Sequence, residues 1–309
     1  MIADWVAASV RARGMVERRV GHGGSDRIAA CHDFDEALVS LAGTVYGGRL
    51  EGVSTLAEAQ RAINATVLWQ LRVLAGWLPA SGMQLLTAAA AGFEAVNIEE
   101  LAQRLSGRGD EKPFYELGAL ATAWPTVCTM TSLSDLSTAL RGSRWGDVGP
   151  LTDPDGLADV LTVAWLQRLT VAAPAVQPWA MTAIVLIAAR VLFVDHAEPA
   201  ARLVQIVRPS IAAAWRSTHD LTAFAAALPR SARAVIADID APTELWRAEK
   251  RLVTTVEEDA ARLLRGSIPG PDVILGAVAL LAVDAWRVRA ALSAAVADAD
   301  ADGSLDVVA

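Results

Sequence analysis

A long apolar helical pattern that turns polar half-way along recurs in this chain, and this recurrence constrains the fold more than any other feature. Its clearest copy runs from Pro269 to Val296. Aligned on a shared core, the three copies centre on residues 94–98, 188–192 and 284–288, which are separated by 94 and then 96 residues. Repetition at a fixed interval is the sequence signature of repeated structural units. Three similar helical units are therefore predicted.

A second feature has the same interval. The stretch Trp165–Leu169, closed by Pro174, resembles Trp69–Leu74, closed by Pro79, at a distance of 96 residues. Two separate features with one interval strengthen the prediction of a repeat. The predicted units are residues 1–110, 111–208 and 209–309, the last with a short acidic C-terminal tail.

Composition indicates an all-α protein. Of the 309 residues, 53% are apolar and 20% are charged, so the chain can bury a core and does not resemble a disordered segment. Alanine and leucine are abundant, tyrosine and phenylalanine are scarce, and the β-branched residues lie mostly within patterns of helical period. We therefore expect helices throughout.

Charge and cysteine content narrow the choice of partners and compartment. The net charge of −8 argues against a nucleic acid or an anionic lipid surface as the main partner, because both attract basic patches. The two cysteines, Cys31 and Cys128, offer neither a disulfide framework nor a cysteine-based zinc site. These features fit a reducing cytoplasm.

No segment is clearly long enough to cross a membrane. Ala180–Val194 is interrupted by Arg190, and Val273–Val283 provides only eleven uncharged residues before Asp284. Both are predicted to be buried core helices. The N-terminus lacks the basic-then-apolar order of a secretory signal. Any membrane association is therefore expected to be peripheral.

Helix starts and stops are readable in the first unit. A helix is predicted after Asp33, ending at Gly43, and Gly47 and Gly48 are predicted to form a tight turn with positive φ. Ser54 or Thr55, with Glu58 three or four residues on, predicts a capping box that opens the next helix.

The chain shows no catalytic constellation. Neither a phosphate-binding glycine loop nor a dinucleotide-binding glycine pattern is present. The acidic run Glu257-Glu258-Asp259 invites comparison with the metal-binding helices of all-α terpenoid cyclases, but three adjacent acids on a helix point in different directions, and a solvated face is favoured. We predict no catalytic residue, cofactor or metal. None of the four histidines has the i, i+4 helical partner that a zinc protease needs; they are His22, His32, His196 and His219.

Two acids stand out because each lies in or at the end of an otherwise apolar helix, where an unpaired charge is costly. These are Glu94 and Asp284. One interpretation is that each marks the point where its helix leaves the core, or pairs with an arginine such as Arg287, Arg289 or Arg104. The other is that both line a shared polar surface.

Several stretches resemble one known family, the central-stalk socket subunit of rotary V-type and A-type ATPases, also called the AC39 family. Arg11–Met15 resembles its N-terminal A-R-x-R-G element, and Leu41–Gly52 (LAGTVYGGRLEG) resembles its L-x-x-T-x-Y-G-x-x-L segment. Asp284–Arg289 is similar to its final acidic helix. Glu94 with Asn97 and Ile98 resembles its acidic-x-x-Asn-Leu element; the middle copy departs from the pattern with Ala188 and Arg190.

The resemblance implies three helical units around a pseudo-threefold axis, forming a funnel on the cytoplasmic face of the membrane. Such a subunit has no catalytic activity of its own. It links the central shaft to the membrane-embedded proteolipid ring and so couples ATP hydrolysis or synthesis to proton or sodium transport. On this view seven residues are expected at the partner surfaces or in the packing beneath them: Tyr46, Arg49, Glu94, Asn97, Asp284, Arg287 and Arg289.

Two alternatives belong to other classes. A generic all-α helical-repeat scaffold explains the same architecture without a rotary partner, and it would not bind a membrane ring. An all-α enzyme with a central acidic pocket would require a divalent metal, and a metal-dependent thermal shift would identify it.

Overall fold

A computed structural model of the chain describes residues 3–109, 112–207, 209–218 and 220–306. The described residues are helical with no β-strand, which confirms the all-α prediction. They form sixteen α-helices: α1 (Ala3–Glu17), α2 (Gly21–Ala29), α3 (Phe34–Ala42), α4 (Gly47–Leu50), α5 (Leu56–Ala75), α6 (Ala80–Leu105), α7 (Trp124–Val127), α8 (Leu133–Arg141), α9 (Leu157–Ala172), α10 (Gln177–Phe193), α11 (Ala201–Ile206), α12 (Pro209–Ser217), α13 (Leu221–Ala227), α14 (Arg230–Arg233), α15 (Leu245–Leu264) and α16 (Pro271–Asp306).

The chain divides into two compact units, and the first of them brings together residues that are distant in sequence. Unit 1 combines residues 1–83 with residues 256–309, and unit 2 comprises residues 84–255. The predicted division into three consecutive units stays a prediction. The residues at its proposed boundaries, Asp110, Glu111 and Arg208, lie outside the described residues.

Helix α16 is the centre of unit 1. It packs against α1, α2, α3 and α5. Its apolar side chains Ile274, Leu281 and Leu292 are almost completely buried, as the apolar helix pattern predicts. The last long helix is thus covered by the first helices of the chain.

Helix α10 holds a similar position in unit 2. It packs against α9, α12, α13 and α14, and Val185, Ala188 and Ala189 along it are buried. Pro174–Phe193, which includes α10, is long and apolar enough to cross a membrane, and the described residues contain no other such helix. Just over half of that stretch (56%) is buried within the fold, as in a core helix.

The helix starts in unit 1 follow the capping signals in the sequence. The Asp33 side chain accepts a hydrogen bond from the Glu36 backbone N–H at 2.8 Å and begins α3, which ends before Gly43. Thr55 and Glu58 form the capping box that opens α5. These carboxylate and hydroxyl oxygens satisfy N–H groups that have no partner within the helix.

The predicted positive-φ turn at Gly47 and Gly48 is wrong. Neither glycine has a positive φ, and Gly47 begins the short helix α4. Gly47 is needed for a different reason: a Cβ atom there would lie 2.0 Å from the carbonyl oxygen of Ala42. The turn therefore requires glycine because the backbone approaches itself closely.

Candidate functional site

Asp284 is a buried carboxylate on α16 that receives three hydrogen bonds from the first part of the chain. Its side chain accepts from the backbone N–H of Val20 at 3.1 Å and of Gly21 at 2.7 Å. The Tyr46 hydroxyl donates to it at 2.8 Å. Asp284 is only 2% exposed. We call it a capping carboxylate, because it binds the free N–H groups at the start of α2.

The start of α2 explains how a buried charge is tolerated there. Val20, at the N-cap position, provides no side-chain cap of its own. Asp284 supplies the missing acceptor from another helix, at the end where the aligned peptide dipoles carry partial positive charge. Burial raises the pKa of the Tyr46 hydroxyl, and the charge of Asp284 raises it further, so this hydroxyl stays protonated and donates.

Glu94 on α6 is the second capping carboxylate, in unit 2. It accepts from the backbone N–H groups of Thr122 at 2.6 Å, Ala123 at 2.9 Å and Trp124 at 3.0 Å, at the start of α7. It also accepts from the Thr122 hydroxyl and from the indole N–H of Trp145 at 2.9 Å. Its exposure is 0%. Both acids thus hold a helix start and an aromatic donor.

A cation lies beside the Glu94 site. The guanidinium of Arg168 is 4.6 Å from the centre of the Trp145 ring and donates to the Thr122 hydroxyl at 3.3 Å. Burial lowers the pKa of Arg168, and the nearby charge of Glu94 opposes that effect. Arg168 therefore contributes a positive charge next to the second capping carboxylate.

The aromatic donors are presented by the same kind of turn. In unit 1 the Thr44 hydroxyl donates to the Leu41 carbonyl at 2.7 Å and accepts from the Tyr46 backbone N–H at 3.2 Å. This local bonding ends α3 and orients Tyr46 inward.

Unit 2 repeats this turn with different residues. The Ser143 hydroxyl donates to the Leu140 carbonyl at 2.7 Å and accepts from the Trp145 backbone N–H at 3.1 Å. Ser132 caps α8 in the position that Asp33 has on α3, and it lies 13 residues before Trp145, as Asp33 lies 13 before Tyr46. The two turns are therefore copies of one structure.

Helices α2–α4 and α7–α8 each form a short-helix segment around one of these polar centres, and in the residues that the structure describes a third such segment, α12–α14, lacks the centre. Its N-cap, Asp220, accepts from the Ala223 N–H at 2.7 Å, and the segment packs against α10. The position of the acid is taken by buried Ala188, and the residue 13 after the N-cap is Arg233. The helix before it begins at Pro209, which has no N–H to donate. Ala188 thus replaces the acid, Arg233 replaces the aromatic donor, and Pro209 replaces a residue with an N–H at the helix start.

The remaining predicted site residues have separate environments. Asn97 is fully buried and pairs with the backbone of Tyr115, donating to its carbonyl at 2.9 Å and accepting from its N–H at 2.7 Å. Arg289 donates to the Asn64 side chain at 2.9 Å. Arg49 is exposed at the end of α4. The structure thus brings Tyr46 and Asp284 together in one centre and places Glu94 in another.

Arg287 binds Glu257, an acid that sequence reasoning assigned to a solvated face. The two form a paired contact through both guanidinium nitrogens, one at 2.6 Å, and their side chains are 12% and 17% exposed. His22 contacts the same carboxylate at 3.1 Å. The hydrogen bonds from Arg287 lower the pKa of Glu257 to about 2. The two residues lie on different helices and 30 positions apart, so no local sequence pattern signals this pair.

In the part of the chain that the structure describes, neither conspicuous acid accepts a hydrogen bond from the suggested arginines Arg287, Arg289 and Arg104. Within the described residues, the hydrogen bonds to Asp284 come from Val20, Gly21 and Tyr46, and Arg287 is engaged by Glu257. Asp284 and Glu94 also do not line an exposed polar surface, because both side chains are buried.

The chemistry of these centres is structural in character. Every oxygen of the two capping carboxylates accepts hydrogen bonds from N–H or O–H donors, an arrangement that does not suit coordination of a metal ion. The described residues contain no group of three or more metal-binding side chains. His219 lies outside the described residues.

No protein-family model matches the chain, and no curated protein matches it at a significant level.

Proposed function

We propose that this chain is a non-catalytic coupling subunit, a helical socket between the central shaft and the membrane proteolipid ring of a rotary V- or A-type ATPase. On this proposal it lies at the cytoplasmic face of the membrane as a peripheral protein. It couples ATP hydrolysis or synthesis to proton or sodium transport through its partners.

One observation carries the proposal: long helices hold the short-helix segments in a regular order. Glu94 on α6 binds the segment that follows it in the chain, through Thr122 and Trp145. Asp284, on the last helix, binds the first segment, through Gly21 and Tyr46. Repeats that close upon themselves around an axis produce this order, which supports the pseudo-threefold arrangement that the resemblance implies.

The anchoring of the segments also suits a body that transmits force. Each capping carboxylate fixes a helix start and an aromatic side chain with charge-assisted hydrogen bonds, which are stronger and more directional than neutral ones. Close packing of helices around them resists deformation. The residues that resemble the family, Tyr46, Glu94 and Asp284, serve this purpose from within the fold.

The test is to tag the chain in its own host, solubilise membranes with a mild detergent, and identify the co-purifying proteins by mass spectrometry. We expect a small proteolipid together with stalk and nucleotide-binding subunits. Recovery from the soluble fraction without any of them would overturn the proposal in favour of a generic helical scaffold. A thermal shift caused by a divalent metal would instead favour the enzyme alternative.

A matched pair of variants sharpens that test. Arg49 is exposed and lies in the segment that resembles the family, so Arg49→Glu should reduce recovery of the partner subunits. Arg230 is exposed in another part of the chain, and Arg230→Glu should leave recovery unchanged. Equal recovery with both variants would remove Arg49 from the partner surface.

A further inference from the structure

The short-helix segment α12–α14 is attached to its long helix in a different way from its two counterparts. The segment α2–α4 is bonded to Asp284, and α7–α8 with the turn that follows is bonded to Glu94. The α12–α14 segment packs on α10 through apolar contacts, including Phe224 against Phe193 with ring centroids 5.6 Å apart.

The sequence prevents α12–α14 from forming the polar attachment. Ala188 offers no acceptor, and Pro209 offers no N–H at the start of α12. Arg233 is exposed and donates to the carbonyls of Ala226 and Leu228, within its own segment. All three elements of the attachment are therefore replaced.

This difference affects how the segments open. Hydrogen bonds to a buried carboxylate have one favourable geometry, and separating them leaves a charge without partners. Apolar contacts are non-directional and tolerate small displacements. We infer that α12–α14 is a built-in site of local opening, the short-helix segment that separates most readily from its long helix. This inference does not depend on the proposed function.

Hydrogen–deuterium exchange on the intact chain tests the inference at three equivalent amides. Ala37, Leu136 and Phe224 each lie four residues after an N-cap inside their helix, each donates its amide N–H to the N-cap carbonyl, and all are 0% exposed, so neither burial nor hydrogen bonding distinguishes them. We expect the Phe224 amide to exchange on the order of tenfold or more faster than the other two. Equal or slower exchange at Phe224 would overturn the inference.

Variants that remove one capping carboxylate provide the second test. Asp284→Asn should raise exchange at Ala37 towards the rate at Phe224, and Glu94→Gln should do so at Leu136. Each variant should leave the other segment's amide unchanged. If either fails to fold, Tyr46→Phe or Trp145→Phe removes one bond of the same centre and should give a smaller effect at the same amide. Unchanged exchange in the folded variants would show that the carboxylates do not hold these segments.

Discussion

The Tyr46 hydroxyl donates a 2.8 Å hydrogen bond to Asp284, a residue 238 positions further along the chain. Both side chains are at most 2% exposed. Because Asp284 also binds the start of α2, one carboxylate joins the first helices of the chain to the last. Unit 1 is thus expected to unfold cooperatively, with its two sequence-distant parts lost together.

Replacing Tyr46 by phenylalanine tests this bond with little change in shape. Tyr46→Phe removes one donor from a buried charge, so we expect the free energy of unfolding to fall by about 1.5–3 kcal/mol. Chemical denaturation of the two proteins measures the difference.

A double-mutant cycle separates the bond from general effects of the ring. In an Asp284→Asn background the phenylalanine substitution should cost much less, because the charged acceptor is already absent. Equal costs in the two backgrounds would show that Tyr46 contributes through packing alone.

Glu94→Gln is expected to be strongly destabilising. An amide presents one oxygen and a donor group to N–H groups that all need acceptors, so a cost of about 3 kcal/mol or more is expected. Glu99→Gln on the same helix is the control. Burial and the neighbouring acids Glu100 and Asp159 raise the pKa of Glu99, so its charge is disfavoured and its removal should be neutral or stabilising. Similar losses in both variants would contradict the role given to Glu94.

Sequence patterns predicted the helices and the unusual status of the two acids, but not their partners. Helical period, Asp33 and the Thr55 capping box are local signals, and the structure confirms them. The partners of Asp284 lie more than 200 residues away, and no local pattern encodes such a pairing.

The repeat shows the same limit. Trp165 and Trp69 share a sequence context, yet their environments differ. The indole of Trp165 lies against Gly92 and donates to the Ala88 carbonyl at 3.0 Å, whereas Trp69 is 46% exposed. Similar sequence predicted a similar helix, but the neighbouring helix decides which face is covered.

The pairing of Glu257 with Arg287 makes part of the stability depend on pH. The folded-state pKa of Glu257, about 2, is below its ordinary value of 4.5, so the stabilisation is complete above pH 4.5 and is lost as the pH falls towards 2. After allowance for solvent screening, Glu257→Gln should lower the free energy of unfolding by about 1–2 kcal/mol at pH 7.

Denaturation series between pH 7 and pH 2 provide the measurement. The difference between the unaltered chain and Glu257→Gln should shrink as the pH falls through this window. Its exposed neighbour supplies the control, since Glu258→Gln should change neither the stability at pH 7 nor its dependence on pH. A constant difference at all pH values would mean that the carboxylate charge of Glu257 is not what stabilises the fold.

Two glycine-to-alanine substitutions should have opposite effects, because the space around the two glycines differs. At Gly276 in α16 an added Cβ would lie 2.5 Å from the Ala260 carbonyl oxygen and 2.7 Å from the Leu264 backbone nitrogen, so α15 and α16 would have to separate. At Gly14 in α1 an added Cβ meets nothing within 4 Å.

Alanine favours a helix over glycine by about 1 kcal/mol. We therefore expect Gly14→Ala to raise the thermal unfolding midpoint and Gly276→Ala to lower it, since overpacking typically costs about 1–3 kcal/mol. An increase in both midpoints would show that α15 and α16 are not in contact at Gly276 in solution.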